Sequence, residues 1–430
     1  MIVCNSIDAL DLSAFIRSGD SVVCSQGVAE PVALTRALVQ QREAIGPFQM
    51  FIGPTYSDTF KPEHGDSIVF KSYCGTARNA PLFAAGVLDI VPAHYSDLPR
   101  LFSQGIFQAD VVLLTVSEPD ERGRFNLGLT NDYIIDAARR ARVVIAEISD
   151  RVPWVYGAEL PEDIHPHVAV HTSREPILFT TKSLDDASSE ERAIAQWTSS
   201  LIPDGATLEL GIGTLPDLVL HALRDHRSLG IHSGVLGDGV AELMKSGVIN
   251  NAHKPSHSGV SVAGLLMGSR QLLDFAHRND SIRLAPASQT HDISVLRAIP
   301  HFIAINGAIE IDITGQVNAE SLNGNYIGAV GGQIDFVRGA NGSTGGRSIM
   351  LLPSTARNGT LSRIVPRLSG AVVTTPRSDV DVVVTEWGIA ELRGKSLRER
   401  VAAITAIAHP DFRESLERRG HAVARTVNYL

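Results

Sequence analysis

From Arg338 to Arg377 the chain carries six arginines, Arg338, Arg347, Arg357, Arg363, Arg367 and Arg377, with no aspartate, glutamate or lysine among them. The same stretch holds Gly339, Gly342, Gly345 and Gly346, and directly upstream lies Gly328-Ala329-Val330-Gly331-Gly332-Gln333. Glycine lets backbone approach a ligand closely, and guanidinium groups meet phosphate oxygens with paired donors. Glycines followed by guanidiniums therefore suit a polyphosphate or another phosphate-bearing small molecule. Each single arginine also has a plainer reading, a solvated side chain paired with acids elsewhere in the fold.

Other reactive side chains point less far. Cys4, Cys24 and Cys74 are odd in number and lack CxxC spacing, so they read as free thiols of a reducing cytoplasm. Cys24 and Cys74 each follow an apolar run, where inert burial is the common fate. His253 and His257 have a spacing that suits a metal on a helix, but Pro255 between them breaks that geometry, and no metal is expected.

Two copies of one unit position these residues. Residues 19–38, GDSVVCSQGVAEPVALTRAL, read as an apolar strand, a turn at Gly27, then Pro31 and helical spacing. Residues 205–223, GATLELGIGTLPDLVLHAL, repeat this with Gly211 and Gly213 at the turn and Pro216 near the helix start. Proline in a first helical turn forfeits no hydrogen bond. A second pair follows in the same order: D-x-x-G-x-x-N at Asp120–Asn126 and again at Asp312–Asn318, each after an apolar strand. Two ordered matches at similar offsets point to duplication. The polar segment 183–195 between the copies reads as a linker or the start of a linking helix.

β-branched runs alternate with helical patterns in both halves, which predicts parallel sheets covered by helices. Ligands then sit beyond the carboxyl ends of the strands, at the glycine turns and between the halves. The 430 residues, 44% hydrophobic and 20% charged, exceed one typical core, so two domains are expected, 1–190 and 191–430. A net charge of −9 argues against a chain built to coat nucleic acid or an anionic membrane. No apolar run approaches the roughly 18–20 residues of a membrane span, and residues 1–15 show no secretory signal. A cytoplasmic protein is expected.

Several long segments, in order, carry a family likeness: Gly211–Pro216 (GIGTLP), Glu310–Glu320 (EIDITGQVNAE), Val330–Gly339 (VGGQIDFVRG), Leu352–Ala356 (LPSTA), Ser362–Pro366 (SRIVP), Thr374–Arg377 (TTPR) and Val384–Arg400. With Gly27–Pro31 (GVAEP) and Asp120–Leu129 (DERGRFNLGL), they resemble the acetyl-CoA hydrolase/transferase family, nearest to its 4-hydroxybutyrate and butyrate CoA-transferase branch. The resemblance implies two related open α/β domains of the CoA-transferase type, acyl-CoA as substrate, no permanently bound cofactor, and a homo-oligomer, as a dimer. It also implies oxyanion donors near Leu215 and at Gly331 or Gly332, and Glu386 lining the active site. Gly211, Gly213, Gly331, Gly332, Gln333, Arg338 and Arg347 are the candidate coenzyme A contacts.

The family's nucleophile is a glutamate that attacks the thioester and passes through an acyl–glutamyl anhydride. Its motif resembles Ile231-His232-Ser233-Gly234-Val235-Leu236-Gly237-Asp238-Gly239, with Gly234 where the glutamate stands. Glycine cannot form an anhydride, so three readings follow. The preferred one keeps acyl-CoA as substrate for hydrolysis, decarboxylation, lyase or condensation chemistry using the oxyanion hole. In the second, CoA transfer proceeds through another group, with Cys24, Cys74, His232 and Ser233 as candidates. In the third, the chain is a CoA-binding regulator or an inactive partner subunit.

Overall fold

A computed structural model describes residues 1–4, 6–181 and 183–423. Eight strands form the first sheet: β1 (Ile2–Cys4), β2 (Ser21–Cys24), β3 (Phe48–Phe51), β4 (Ile68–Ser72), β5 (Leu88–Ile90), β6 (Val111–Ser117), β7 (Val143–Ser149) and β8 (Val168–Thr172). Their order is β1-β8-β7-β6-β2-β3-β4-β5, and every pairing is parallel. β6 (VVLLTVS) and β7 (VVIAEIS) are buried at every position, the unbroken apolar pattern of strands covered on both faces.

The second sheet has β9 (Thr207–Leu210), β10 (Gly230–Leu236), β11 (Ser261–Leu266), β12 (Ile282–Leu284) and β13 (Phe302–Gly307), followed by the strands Arg347–Leu351, Val382–Thr385 and Gly388–Glu391. These last three extend the sheet beyond β13, in the order β12-β11-β10-β9-β13 and onward. Read from the β5 edge, the first sheet runs β5-β4-β3-β2-β6-β7-β8, so the two sheets match strand for strand over seven positions. Only the last strand differs: β1 joins parallel, whereas Gly388–Glu391 is antiparallel to Val382–Thr385.

The repeated D-x-x-G-x-x-N turns also match in detail. Asp120 Oδ1 accepts from the N–H groups of Arg122 and Arg124, and Asp312 Oδ1 from those of Thr314 and Gln316. Gly123 and Gly315 both hold positive φ, 74° and 97°, and Asn126 and Asn318 each accept from the N–H two residues on. Asp-to-backbone bonds with a glycine in the left-handed region make a turn whose shape is set by its own side chains.

Segment 183–195 runs into the helix Ser189–Ser199, opened by a reciprocal cap between Ser188 and Glu191. It packs against the helix Thr214–Ala222 and the strand Val382–Thr385, both of the second half. We therefore propose that the division between halves falls just ahead of Ser188. The halves are not loosely joined. One core cluster runs from Val23 through Ala169 to Leu208 and Val384. Backbone bonds cross between the halves at Gly75 N–H to Gly328 O (2.8 Å), Asn131 N–H to Gly264 O (2.8 Å) and Leu266 N–H to Leu129 O (2.8 Å).

Candidate functional site

The carboxyl ends of β9, β10 and β13 converge on one crevice, the place where an open parallel sheet presents ligands. β9 runs into Gly211-Ile212-Gly213, and the helix Thr214–Ala222 starts there with Gly213 at φ 125°. A methyl group on Gly211 would meet nothing within 4 Å, so this turn borders open space. Leu215, half-buried in the first turn of the helix, lies on the same rim. A Cβ on Gly237, just past β10, would stand 3.5 Å from Ile212, which brings the turn close to the end of β10.

Gly234 is the fifth residue of β10. Its scaffold neighbours are spoken for: the Ser233 hydroxyl donates to Leu210 O (3.0 Å), and Asp238 accepts from the N–H and hydroxyl of Ser269. His232 and Ser233 are buried. Burial pushes the His232 imidazole down to about 3, with Lys254 adding to the shift. Cys24 and Cys74 are buried thiols whose pKa burial raises, the opposite of an activated thiolate.

A residue distant in sequence occupies the gap that Gly234 leaves. A Cβ at position 234 would stand 3.2 Å from both Cε1 and Nε2 of His291, and 3.5 Å from the Phe336 ring. A Cβ at Gly332 would stand 2.5 Å from His291 Cδ2 and 2.6 Å from Nε2. The imidazole thus lies between two glycines, and a Cβ on either would crowd it. Tyr95 and Phe336 flank it, each with ring centroids 4.5 Å away. Nδ1 lies 2.8 Å from Thr290 Oγ1, and that hydroxyl donates to Pro286 O. Burial holds the His291 pKa down at about 3, so the ring is neutral near pH 7.

The first half supplies one wall of the crevice. Tyr95 N–H donates to Gly331 O (2.9 Å), and Ser96 donates through N–H and hydroxyl to Asp335. Gly331 (φ 53°) and Gly332 lead into the helix Gln333–Gly342, whose first turn contains Asp335. Burial raises the Asp335 carboxyl to about 6 despite the Ser96 bonds. Behind Tyr95 lies a closed polar set. Gln26 Nε2 donates to Tyr95 Oη (2.5 Å) and to Asp132 Oδ2 (2.8 Å), and Tyr73 Oη donates to Gln26 Oε1 (2.8 Å). Tyr95, Gln26 and Asp132 carry no motif that marks them in the sequence, and Phe336 lies in the VGGQIDFVRG segment without being singled out there. His291, 57 positions beyond Gly234 at the C-cap of the short helix Ala287–Thr290, carries none either.

The remaining expected residues divide between places. Gln333 adjoins the crevice, its Nε2 donating to Gly307 O (2.9 Å) at the end of β13 and its Oε1 accepting from Thr375. The Arg338 guanidinium pairs with Asp379 (3.2 Å), and Arg347 pairs with Glu391 (2.7 Å) beside Asp381. The pairing reading is therefore the one these two arginines display. Glu386 lies in another cleft, of about 590 Å³, with Trp387, His409 and Ser188–Glu190 on its walls. Its carboxylate accepts from Ser354 N–H (2.9 Å) and from the Ser354 hydroxyl, and Trp387 Nε1 donates to that hydroxyl oxygen (3.2 Å). No residue of the His291 crevice is among the walls of that cleft.

No described helix is long and apolar enough to cross a membrane. Sequence models of the acetyl-CoA hydrolase/transferase N-terminal and C-terminal domains match residues 6–171 and 268–419. The 4-hydroxybutyrate coenzyme A transferase of Clostridium kluyveri is 40% identical over 408 residues, covering 93% of this chain and 94% of that protein. The succinyl-CoA:cyclohexane-1-carboxylate CoA transferase of Geobacter metallireducens is 34% identical, covering 96% and 94%. The crystal structure of RipA from Yersinia pestis aligns at TM-score 0.91 and 34% identity over 98% of this chain and 97% of that one. Two parallel sheets, two domain matches in the expected order and relatives aligned along nearly the whole length have one reading: the protein belongs to the acetyl-CoA hydrolase/transferase family.

Proposed function

We propose that this chain acts on an acyl-CoA thioester in the crevice of Gly211, Gly213, Gly234, Gly331 and Gly332, and moves coenzyme A to a second carboxylic acid without a glutamyl intermediate. The single observation that carries the reading is the pair of facing glycines, Gly234 and Gly332, with a neutral imidazole between them. The crevice keeps what acyl transfer needs, backbone N–H groups at the 331–332 turn and the helix start, where a developing oxyanion is stabilised. Relatives named for CoA transfer favour this over lyase, decarboxylation or condensation chemistry. Hydrolysis is the second reading, favoured by one specific observation. Gly234 and Gly332 are only half-buried, so water can reach the carbon that the glutamate would have attacked.

The test incubates the purified chain with acetyl-, butyryl- and 4-hydroxybutyryl-CoA, with and without acetate, butyrate or succinate, and follows products by mass spectrometry. The expected outcome is acceptor-dependent appearance of the second acyl-CoA. Free coenzyme A formed at the same rate with or without acceptor would replace transfer by hydrolysis. Tight binding with no product from any pair would leave a CoA-binding regulator.

A further inference from the structure

His291 is buried beside Gly234 and Gly332. Its Nε2 edge points at the two positions where side chains are missing, 3.2 Å from a Cβ at 234 and 2.6 Å from one at 332. With the Thr290 hydroxyl hydrogen given to Pro286 O, Nδ1–H donates to Thr290 Oγ1, and the tautomer leaves the lone pair on Nε2. Among the described residues, no protein group is hydrogen-bonded to that Nε2. Tyr95 and Phe336 clasp the ring from either side and hold its plane. Oriented lone pair, fixed tautomer and absent partner are what a nucleophile requires.

We propose that His291 takes over the part of the missing glutamate and accepts the acyl group on Nε2, an inference that rests on the acyl-CoA reading above. The Nε2 lone pair attacks the thioester carbonyl, the carbon–sulfur bond breaks, and coenzyme A leaves as its thiolate. The acyl-imidazolium keeps Nδ1–H on Thr290 Oγ1. A carboxylate acceptor then attacks the acyl carbon and frees Nε2, forming a mixed anhydride. The thiolate attacks the acceptor's carbonyl, and the first acid departs as its carboxylate. No oxidant or reductant enters, and the only proton involved stays on Nδ1.

The experiment uses the full chain, butyryl-CoA, isotopically labelled coenzyme A and acetate. A histidine nucleophile makes label enter butyryl-CoA before any acetate is added, because the first half-reaction is complete in itself. After an acid quench, the peptide containing His291 should carry a butyryl mass increment. His291→Gln and His291→Phe, the second filling the ring's space without a lone pair, should each lose about 100-fold in label exchange and in acetyl-CoA formation while still binding coenzyme A. Acetate-dependent transfer with neither label exchange nor a butyryl increment on His291 would overturn the proposal, since the acceptor would then attack the thioester directly. So would an increment on another residue, or exchange kept within about threefold in both variants. If the unaltered chain forms neither labelled butyryl-CoA nor acetyl-CoA, the acyl-CoA reading falls first and His291 with it.

Discussion

The relation between residues 234 and 291 makes a pair of opposite predictions. Installing the family's side chain alone, Gly234→Glu, sets a Cβ 3.2 Å from His291 Cε1 and Nε2, closer than ordinary packing. Overfilling a packed site typically costs about 1–3 kcal/mol, so the variant should unfold at lower urea and gain no transferase activity through 234. Adding His291→Ala removes the obstructing ring, and the double variant should recover stability and carry acyl groups on Glu at 234. Urea midpoints read beside acyl-peptide mass spectrometry check both arms. Full stability with acylation in the single variant would show that the ring swings aside freely. Little of this was legible from residue types. Gly234 stood out in the sequence because it sits among His232, Ser233, Asp238 and Gly239, which resemble the family's motif. What fills the gap depended on a tertiary contact, which no local spacing encodes. The pairing of Arg338 was hidden for a related reason. The run from 338 to 377 is acid-free, yet Asp379 lies two positions past its end and reaches back to Arg338.

Among elements, the turn before the helix Gln333–Gly342 leaves no room for a side chain at Gly332. Gly332→Ala would drive a methyl to 2.5 Å from His291 Cδ2, while Gly211→Ala meets nothing within 4 Å. The first should cost about 1–3 kcal/mol of stability and more than tenfold in acyl-CoA turnover. The second should stay within about 0.5 kcal/mol of the unaltered chain. Thermal melts and product assays on the two variants decide it, and equal losses would mean that the turn tolerates side chains for reasons other than free volume. Strand and turn elements were the readable part of the fold. Apolar runs such as VVLLTVS and VVIAEIS are buried throughout, and the glycine turns lead into helices as the prolines indicated. The helix Ser189–Ser199 was less readable, because its charged residues look like linker until the Ser188–Glu191 cap and its packing partners are in place.

At the scale of the whole molecule, the two sheets share one apolar cluster and are tied by direct backbone bonds. Separate domains with a small polar interface melt separately; a shared core does not. Calorimetry should therefore show a single cooperative transition, and two resolved peaks would contradict the continuity of the core. The duplication was visible as two pairs of short motifs. Its full extent, seven strands in matching order, emerged only from pairing, because most of those strands share no residues that a sequence comparison within the chain could align.

That matching order carries down to single residues. In the first sheet Ser21 lies opposite Gln49 and Val22 opposite Met50; in the second, Thr207 lies opposite Gly230 and Leu208 opposite Ile231. Counting on from these pairs, Gly53 is the counterpart of Gly234. At Gly53 a methyl would run into the Gln26 side chain and come within 3.0 Å of Tyr133 Oη, as one at Gly234 would crowd His291. Each sheet thus holds a glycine at the matching place with a side chain pressed against it. At Gly53 that side chain is a glutamine bonded to tyrosines and an aspartate; at Gly234 it is a buried imidazole. The two places are joined, because Gln26 donates to the same Tyr95 that lies against His291.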